Sequence, residues 1–201
     1  MTNEANLKLR HMATLTAGYP FRGTVPVVPN SGVIAIQMKD VSLRDGICWQ
    51  TCVETQLSGK RDPDWLQSGD ILFAARGNNN YAVAVTTGAS NLRIQAVASP
   101  HFYIIRTKGS DVLSEYLTWL LNQRPSQRYF EQNAEGSVAK SIRRTVLENC
   151  PVIIPSLSKQ RAIVGLSQKL LQEQRFLEQL VKNGDQLMTT IATNLLGDLK
   201  G

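Results

Sequence analysis

The last forty residues constrain this chain most. Apolar residues fall at Ile163, Leu166, Leu170, Leu177, Leu180, Leu187 and Ile191, with spacings of 3, 4, 7, 3, 7 and 4. That is a heptad register with its a and d positions filled. Glu173 and Gly184 interrupt the seam. They either set the register and accommodate a partner, or mark a kink or a tolerated defect. One helix from about Ser158 to Leu196 would be about 58 Å long at 1.5 Å per residue. One small domain cannot cover such an edge, so its outer half is predicted to pack on another helix. The alternative is a helix folded back on its own domain; the persistence of the register beyond three heptads favours the first reading.

The region before it changes period. Short apolar runs stand between turns: Val33–Met38 after Pro29–Gly32, then Cys48–Thr55, Ile71–Ala75, Tyr81–Thr86 and Phe102–Arg106. These read as strands. Ile71–Ala75 and Tyr81–Thr86 are joined by Arg76–Asn80, rich in residues that tolerate positive φ, and read as a hairpin. Leu113, Tyr116, Leu117, Leu120 and Leu121 share one helical face, with Asp111 as the expected cap and Pro125 as the stop or restart. A second helix is expected over Ser126–Asn133, and a short helix or turn within Ser137–Asn149. Cys150–Pro155 reads as an extended exit segment, because a residue before proline avoids the α region. The fold class is therefore α+β: a twisted, mostly antiparallel sheet with flanking helices, followed by one long C-terminal coiled-coil helix.

Composition narrows the function. The chain has 201 residues, with 22 Lys and Arg against 16 Asp and Glu, a net charge of +6. Residues 1–155 carry +4 of this and residues 156–201 carry +2. A basic surplus suits a polyanion, since each phosphate neutralised releases counterions, although many soluble enzymes are equally basic. No apolar run approaches the roughly 20 residues that span a bilayer. The N-terminus shows no signal-peptide pattern. Three cysteines, an odd count, suggest reduced thiols and a cytoplasmic protein. Cys48 and Cys52 are spaced C-x3-C without a second pair, and His11 and His101 stand alone, so no metal site is expected.

Catalytic signatures are missing throughout. The chain lacks a phosphate loop, a Gly-x-Gly-x-x-Gly turn, a His-Glu-x-x-His helix and a Gly-x-Ser-x-Gly elbow. It also lacks the Asn-Pro-Pro-Tyr of amino-methyltransferases. Pro63-Asp64 is not completed by a nuclease Glu-x-Lys or Asp-x-Lys. No catalytic residue is expected, and the chain reads as a binding module.

Five segments, in order, then carry a resemblance. Leu9–Phe21 (LRHMATLTAGYPF) resembles the opening of target-recognition domains in type I restriction–modification specificity subunits. Ile36–Val41 (IQMKDV) is similar to their next strand and turn. Gly69–Gly77 (GDILFAARG) with Tyr81–Val85 (YAVAV) resembles their hairpin, the most specific of the five. Gly136–Ile142 (GSVAKSI) is similar to a later family segment. Cys150–Pro155 (CPVIIP) with Lys159-Gln160 resembles the entry to their spacer helix. Lys159 stands where the family has Glu, which removes a favourable anion near a helix N-terminus.

The resemblance implies a DNA target-recognition domain over 1–155 and a spacer or dimerisation helix over 156–199. It implies double-stranded DNA as ligand and modification subunits as partners, with restriction subunits as a further possibility. No cofactor is expected on this chain; S-adenosylmethionine and the methylation chemistry belong to the partners. A complete specificity subunit has two recognition domains and two helices, and this chain has one of each. Two copies paired antiparallel through the 163–191 seam would restore the whole, and a two-fold pair of readers should read an interrupted palindrome. Alternatives are the recognition fragment of a fused restriction–methylation enzyme and a coiled-coil oligomerisation protein that binds no DNA.

Base reading needs Arg for guanine and Asn or Gln for adenine. Arg76, Asn78, Asn79, Asn80 and Tyr81 offer that chemistry on the hairpin tip; a plain Asn-Gly turn is the competing reading. Lys140, Arg143 and Arg144 would share a helix face as phosphate clamps or base readers, or form a solvated basic face. Gln37 and Lys39 flank a turn, and Lys60 and Arg61 sit in a loop that could touch phosphate. Arg124 and Arg128 are further basic candidates. Trp49, Trp65, Trp119, Tyr19 and Phe21 read as packing residues.

Overall fold

Ile71–Ala75 is a run of five apolar residues, and such a run suits a strand covered on both faces. The computed structural model, which describes residues 7–59, 62–77, 79–86, 95–136 and 140–198, places it at the centre of the fold. In chain order the strands are β1 Leu7–Lys8, β2 Ala13–Ala17, β3 Val33–Ile36, β4 Val41–Ser42, β5 Gly46–Ile47 and β6 Val53–Glu54. They continue as β7 Ile71–Ala74, β8 Arg76–Gly77, β9 Ala82–Ala84, β10 Gln95–Ala98, β11 Phe102–Thr107, β12 Lys140–Ser141 and β13 Pro151–Val152. The helices are α1 Leu9–Met12, α2 Ser114–Leu121, α3 Arg124–Asn133, α4 Arg144–Glu148 and α5 Leu157–Asp198.

The main sheet is antiparallel, in the order β2-β11-β7-β9. Successive side chains of a strand point to opposite faces. Ile71 and Phe73 accordingly join Leu15, Ile105, Leu117, Leu121, Phe130 and Leu147 in one core under the helices. The Phe73 and Phe130 rings lie 4.9 Å apart. Leu72 and Ala74 join Ile34, Ile36, Val83, Phe102 and Ile104 on the other face. That face packs on a second sheet, β10-β3-β6, in which β10 and β3 run parallel and β3 and β6 antiparallel. The predicted hairpin is present, with Ile71 opposite Ala84 and Phe73 opposite Ala82.

Two backbone positions explain motif residues. At Gly69 φ is +89°, which closes the turn that delivers Asp70 to the head of β7. At Gly18 an added Cβ would collide with the carbonyl oxygens of Ser99 and Ala98. The chain passes too close there for a side chain.

Local expectations failed where tertiary pairing intervened. Cys48–Thr55 is not one strand: a 3-10 turn covers Trp49–Thr51 before the short β6. Asp111 does not cap α2; Leu113 is its N-cap. Its free N–H is instead taken by Gln160 Oε1 at 2.9 Å. Pro125 restarts rather than stops the helix, sitting in the first turn of α3. Lys140, Arg143 and Arg144 do not share a helix face. Lys140 lies in β12, Arg143 is the N-cap of α4 and Arg144 opens it. Backbone pairing of Lys140 with Gly77 and Ser141 with Arg76 overrides the helical spacing.

The chain divides into two compact units, Met1–Arg161 and Ala162–Gly201. Gln160 belongs to the first and is 0% exposed. Its Nε2 donates to Asp111 O and Pro155 O, both at 2.8 Å, while Oε1 takes the Leu113 N–H. The opening turn of α5 is thereby tied to the start of α2. The second unit is the remainder of α5, a 42-residue helix in all and about 63 Å long. Along it Leu166, Leu170, Leu177, Leu180, Leu187 and Ile191 are 43–66% exposed, and Ile163 is half-buried. Phe176, Val181, Met188, Leu195 and Leu196 are exposed as well. Among the described residues no helix is long and apolar enough to cross a membrane.

Two outcomes follow from this packing. Gln160→Ala leaves one N–H and two carbonyls without their partner, and should lower unfolding free energy by about 2–4 kcal/mol. Urea denaturation measures it, and a loss below about 1 kcal/mol would contradict the clamp. Burial pushes the Cys52 and Cys150 thiols up to about 12, so both stay protonated and unreactive at pH 8. Iodoacetamide at that pH should label exposed Cys48 in the folded chain and reach Cys150 only on unfolding, as read by peptide mass.

Candidate nucleic-acid interface

The hairpin of β7 and β9 is held by its own polar residues. Asn80 is 9% exposed, and its Nδ2 donates to Ala74 O at 2.9 Å. The Ala82 backbone is gripped from the helical side: its N–H donates to Asn122 Oδ1 and its carbonyl accepts from Asn122 Nδ2, both at 2.8 Å. Tyr81 is half-buried, and its hydroxyl donates to Val41 O at 2.9 Å. Burial pushes the Tyr81 hydroxyl above its ordinary range. Asn80 and Tyr81, expected as base readers, are therefore engaged within the fold, Asn80 in the hairpin itself and Tyr81 against β4. Asn79 remains exposed.

Beyond the hairpin, β8 and β12 form a two-stranded ribbon, with Arg76 opposite Ser141 and Gly77 opposite Lys140. The Ile142 N–H donates to Ala75 O at 2.8 Å and extends the ladder. Arg76 and Lys140, separated by over sixty residues in the chain, thus become neighbours on an exposed edge. Arg143 follows, exposed, with its Nε 2.7 Å from Glu135. Arg144 turns to Glu148 at 2.7 Å within α4. Such exposed pairs are worth about 0–1 kcal/mol and exchange readily for another anion.

The turn after β3 completes the cluster. The Gln37 N–H donates to the buried Asp40 carboxylate at 2.9 Å, and Thr51 Oγ1 donates to the same group at 3.0 Å. This fixes the turn so that Lys39 is exposed. Met38 Cε lies 3.7 Å from where a Cβ on Gly77 would stand, so the turn abuts the ribbon. The structure therefore brings Arg76, Asn79, Lys140 and Arg143 to the two sides of one ribbon, and Met38, between Gln37 and Lys39, abuts it. It leaves Arg144 paired within its own helix. Lys60, Arg61 and Asn78 lie outside the described residues.

Two hollows flank the ribbon. One, of about 500 Å³, is lined by Asn79, Lys140, Gln127 and Glu131 together with Leu43 and Phe130. The other, of about 370 Å³, is lined by Arg76, Arg143 and Ser141 with Pro20, Pro100 and Tyr103. Sequence reasoning missed Gln127 and Glu131. They stand four apart on α3, and that spacing placed them on one helical face. Nothing in the sequence showed that this face looks toward the hairpin. Among the described residues no group of three or more His, Cys, Asp or Glu side chains is placed to hold a metal ion.

The fold is similar to solved type I subunits. The HsdS subunit from Thermoanaerobacter tengcongensis matches with a TM-score of 0.62 at 18% identity, over 87% of this chain and 43% of that one. A chain from the structural description of complex assembly and conformational transition in the type I R-M system matches with a TM-score of 0.63 at 18% identity, over the same shares. This chain thus spans less than half the length of the solved chains it resembles. No curated protein matches it. Residues 55–183 match the model of the type I restriction modification DNA specificity domain, which is well over half of the chain. On that match, with the likeness in fold beside it, the chain belongs to the type I restriction modification DNA specificity domain family.

Proposed function

We propose that this chain is a non-catalytic DNA reader that acts as half of a type I specificity subunit, two copies pairing through α5. The observation that carries the reading is the exposed apolar seam on a helix joined to one recognition fold. Six seam side chains between Leu166 and Ile191 stand in water at 43–66% exposure. Burying a leucine or isoleucine fully contributes about 1.5–3 kcal/mol, so half-exposed ones contribute about 1 kcal/mol each. Two copies bring twelve of these together, six apiece. That gain, about 12 kcal/mol in all, is of the size of the association cost of about 4–15 kcal/mol, and helices paired antiparallel hide the edge along its whole length.

In this reading the ribbon and hairpin tip of each copy grip one half-site of a double-stranded target. The helical pair sets the gap between half-sites, and its two-fold axis makes the target an interrupted palindrome. The cytoplasmic partners are modification subunits that bring S-adenosylmethionine and transfer the methyl group; restriction subunits join where the system also cleaves.

The test joins mass and address. The full chain should sediment as a dimer at micromolar concentration, and Leu177→Glu with Leu187→Glu should return it to a monomer with the globular unit still folded. Methylated sites mapped in cells carrying the system should be symmetric with a fixed gap. A stable wild-type monomer, or an asymmetric methylated sequence, overturns the pairing. Affinity for duplex DNA that does not change with salt overturns the DNA reading itself.

A further inference from the structure

The two faces of the β8–β12 ribbon differ in chemistry. Side chains alternate across a strand, so paired Arg76 and Ser141 share one face while Lys140 takes the other. The hollow on the first face has guanidinium groups, Arg76 and Arg143, as its charged lining. The hollow on the second has a carboxylate, Glu131, beside the Lys140 ammonium and the amides of Asn79 and Gln127. Glu131 is exposed on α3, so its oxygens reach solvent.

We infer that these faces meet different parts of a duplex: Arg76 and Arg143 take the sugar–phosphate backbone, and the Lys140 face takes a base-pair edge at which Glu131 accepts from an exocyclic amino group. The inference rests on the DNA-reading proposal above and adds the orientation of the duplex on the ribbon. A phosphate offers acceptors and negative charge alone. It fits paired guanidinium groups, and a neighbouring carboxylate would repel it. A major-groove base edge offers donors and acceptors together. The amino group of cytosine or adenine is the donor a carboxylate can use there, and Lys140 suits the acceptors beside it. The Arg143–Glu135 pair is exposed on both sides, so phosphate can replace Glu135 at small cost.

Duplexes selected from a randomised library by the full chain separate the two roles. Wild type, Glu131→Ala, Arg76→Ala and Arg143→Ala are compared, with thermal melting to show that each exposed substitution leaves the fold intact. Glu131→Ala should lose discrimination at one position of each half-site, by about 5- to 150-fold, with the salt slope unchanged. The base whose preference is lost identifies the amino group as that of cytosine or adenine. Arg76→Ala and Arg143→Ala should keep the selected sequence and each reduce the slope of log affinity against log salt by about 1. A Glu131→Ala variant that selects the wild-type sequence overturns the inference. So does an arginine variant that changes base preference at constant slope. Failure of wild type to select any sequence sinks the DNA reading as well, and is thereby distinguishable.

Discussion

The placement of the hairpin depends on one charge pair. Asp70 is 1% exposed, yet both of its oxygens are used. Arg106 Nε donates to Oδ1 and Nη2 to Oδ2, each at 2.7 Å, and the Gln67 N–H donates to Oδ2 at 2.8 Å. A carboxylate so enclosed is tolerable only with its partners present, because a buried charge left alone costs several kcal/mol. Arg106 is partly open to water, 42% by its side chain, so its loss would cost less than in a dry interior. The pair joins the head of β7 to β11, and the Gln67 bond closes the turn before it. Ile71 is thereby held opposite Ile105, and everything that follows on β7, including the hairpin tip, inherits that register.

Charge elsewhere has a different character. The ion pairs of Arg143 with Glu135 and Arg144 with Glu148 lie in the open and add little to folding. The Asp70–Arg106 pair, with its carboxylate buried, thus fixes geometry, while the exposed pairs of Arg143 and Arg144 can be exchanged. Gln160 achieves a comparable fixation without charge. One neutral amide satisfies a helix N-terminus and two carbonyls at once. A neutral group avoids the larger desolvation cost of an ion at that depth.

How much was legible beforehand followed from the range of each interaction. The β7–β9 hairpin and α5 were readable because period and turn chemistry are local, and they occupy nearly the expected residues. The fate of Cys48–Thr55 and of Lys140–Arg144 was not, since each is decided by a partner distant in sequence. The spacing of Lys140, Arg143 and Arg144 suggested a helix, and a ladder to Arg76–Gly77 made part of it a strand. Asn80 looked like a reader because of its chemistry; its burial against Ala74 O shows it building the turn. Glu131 was invisible because helical spacing gives a face but not the neighbour that face will meet.

The ribbon's ladder has an evolutionary corollary. Its bonds run between main-chain atoms, from β8 to β12 and from Ile142 to Ala75, and these are indifferent to what is attached at positions 76, 140 or 143. Those side chains stand clear of the core clusters. Drift at such positions is nearly free of folding consequences, so a lineage can vary the surface that the ribbon presents by point substitution and leave the chassis untouched.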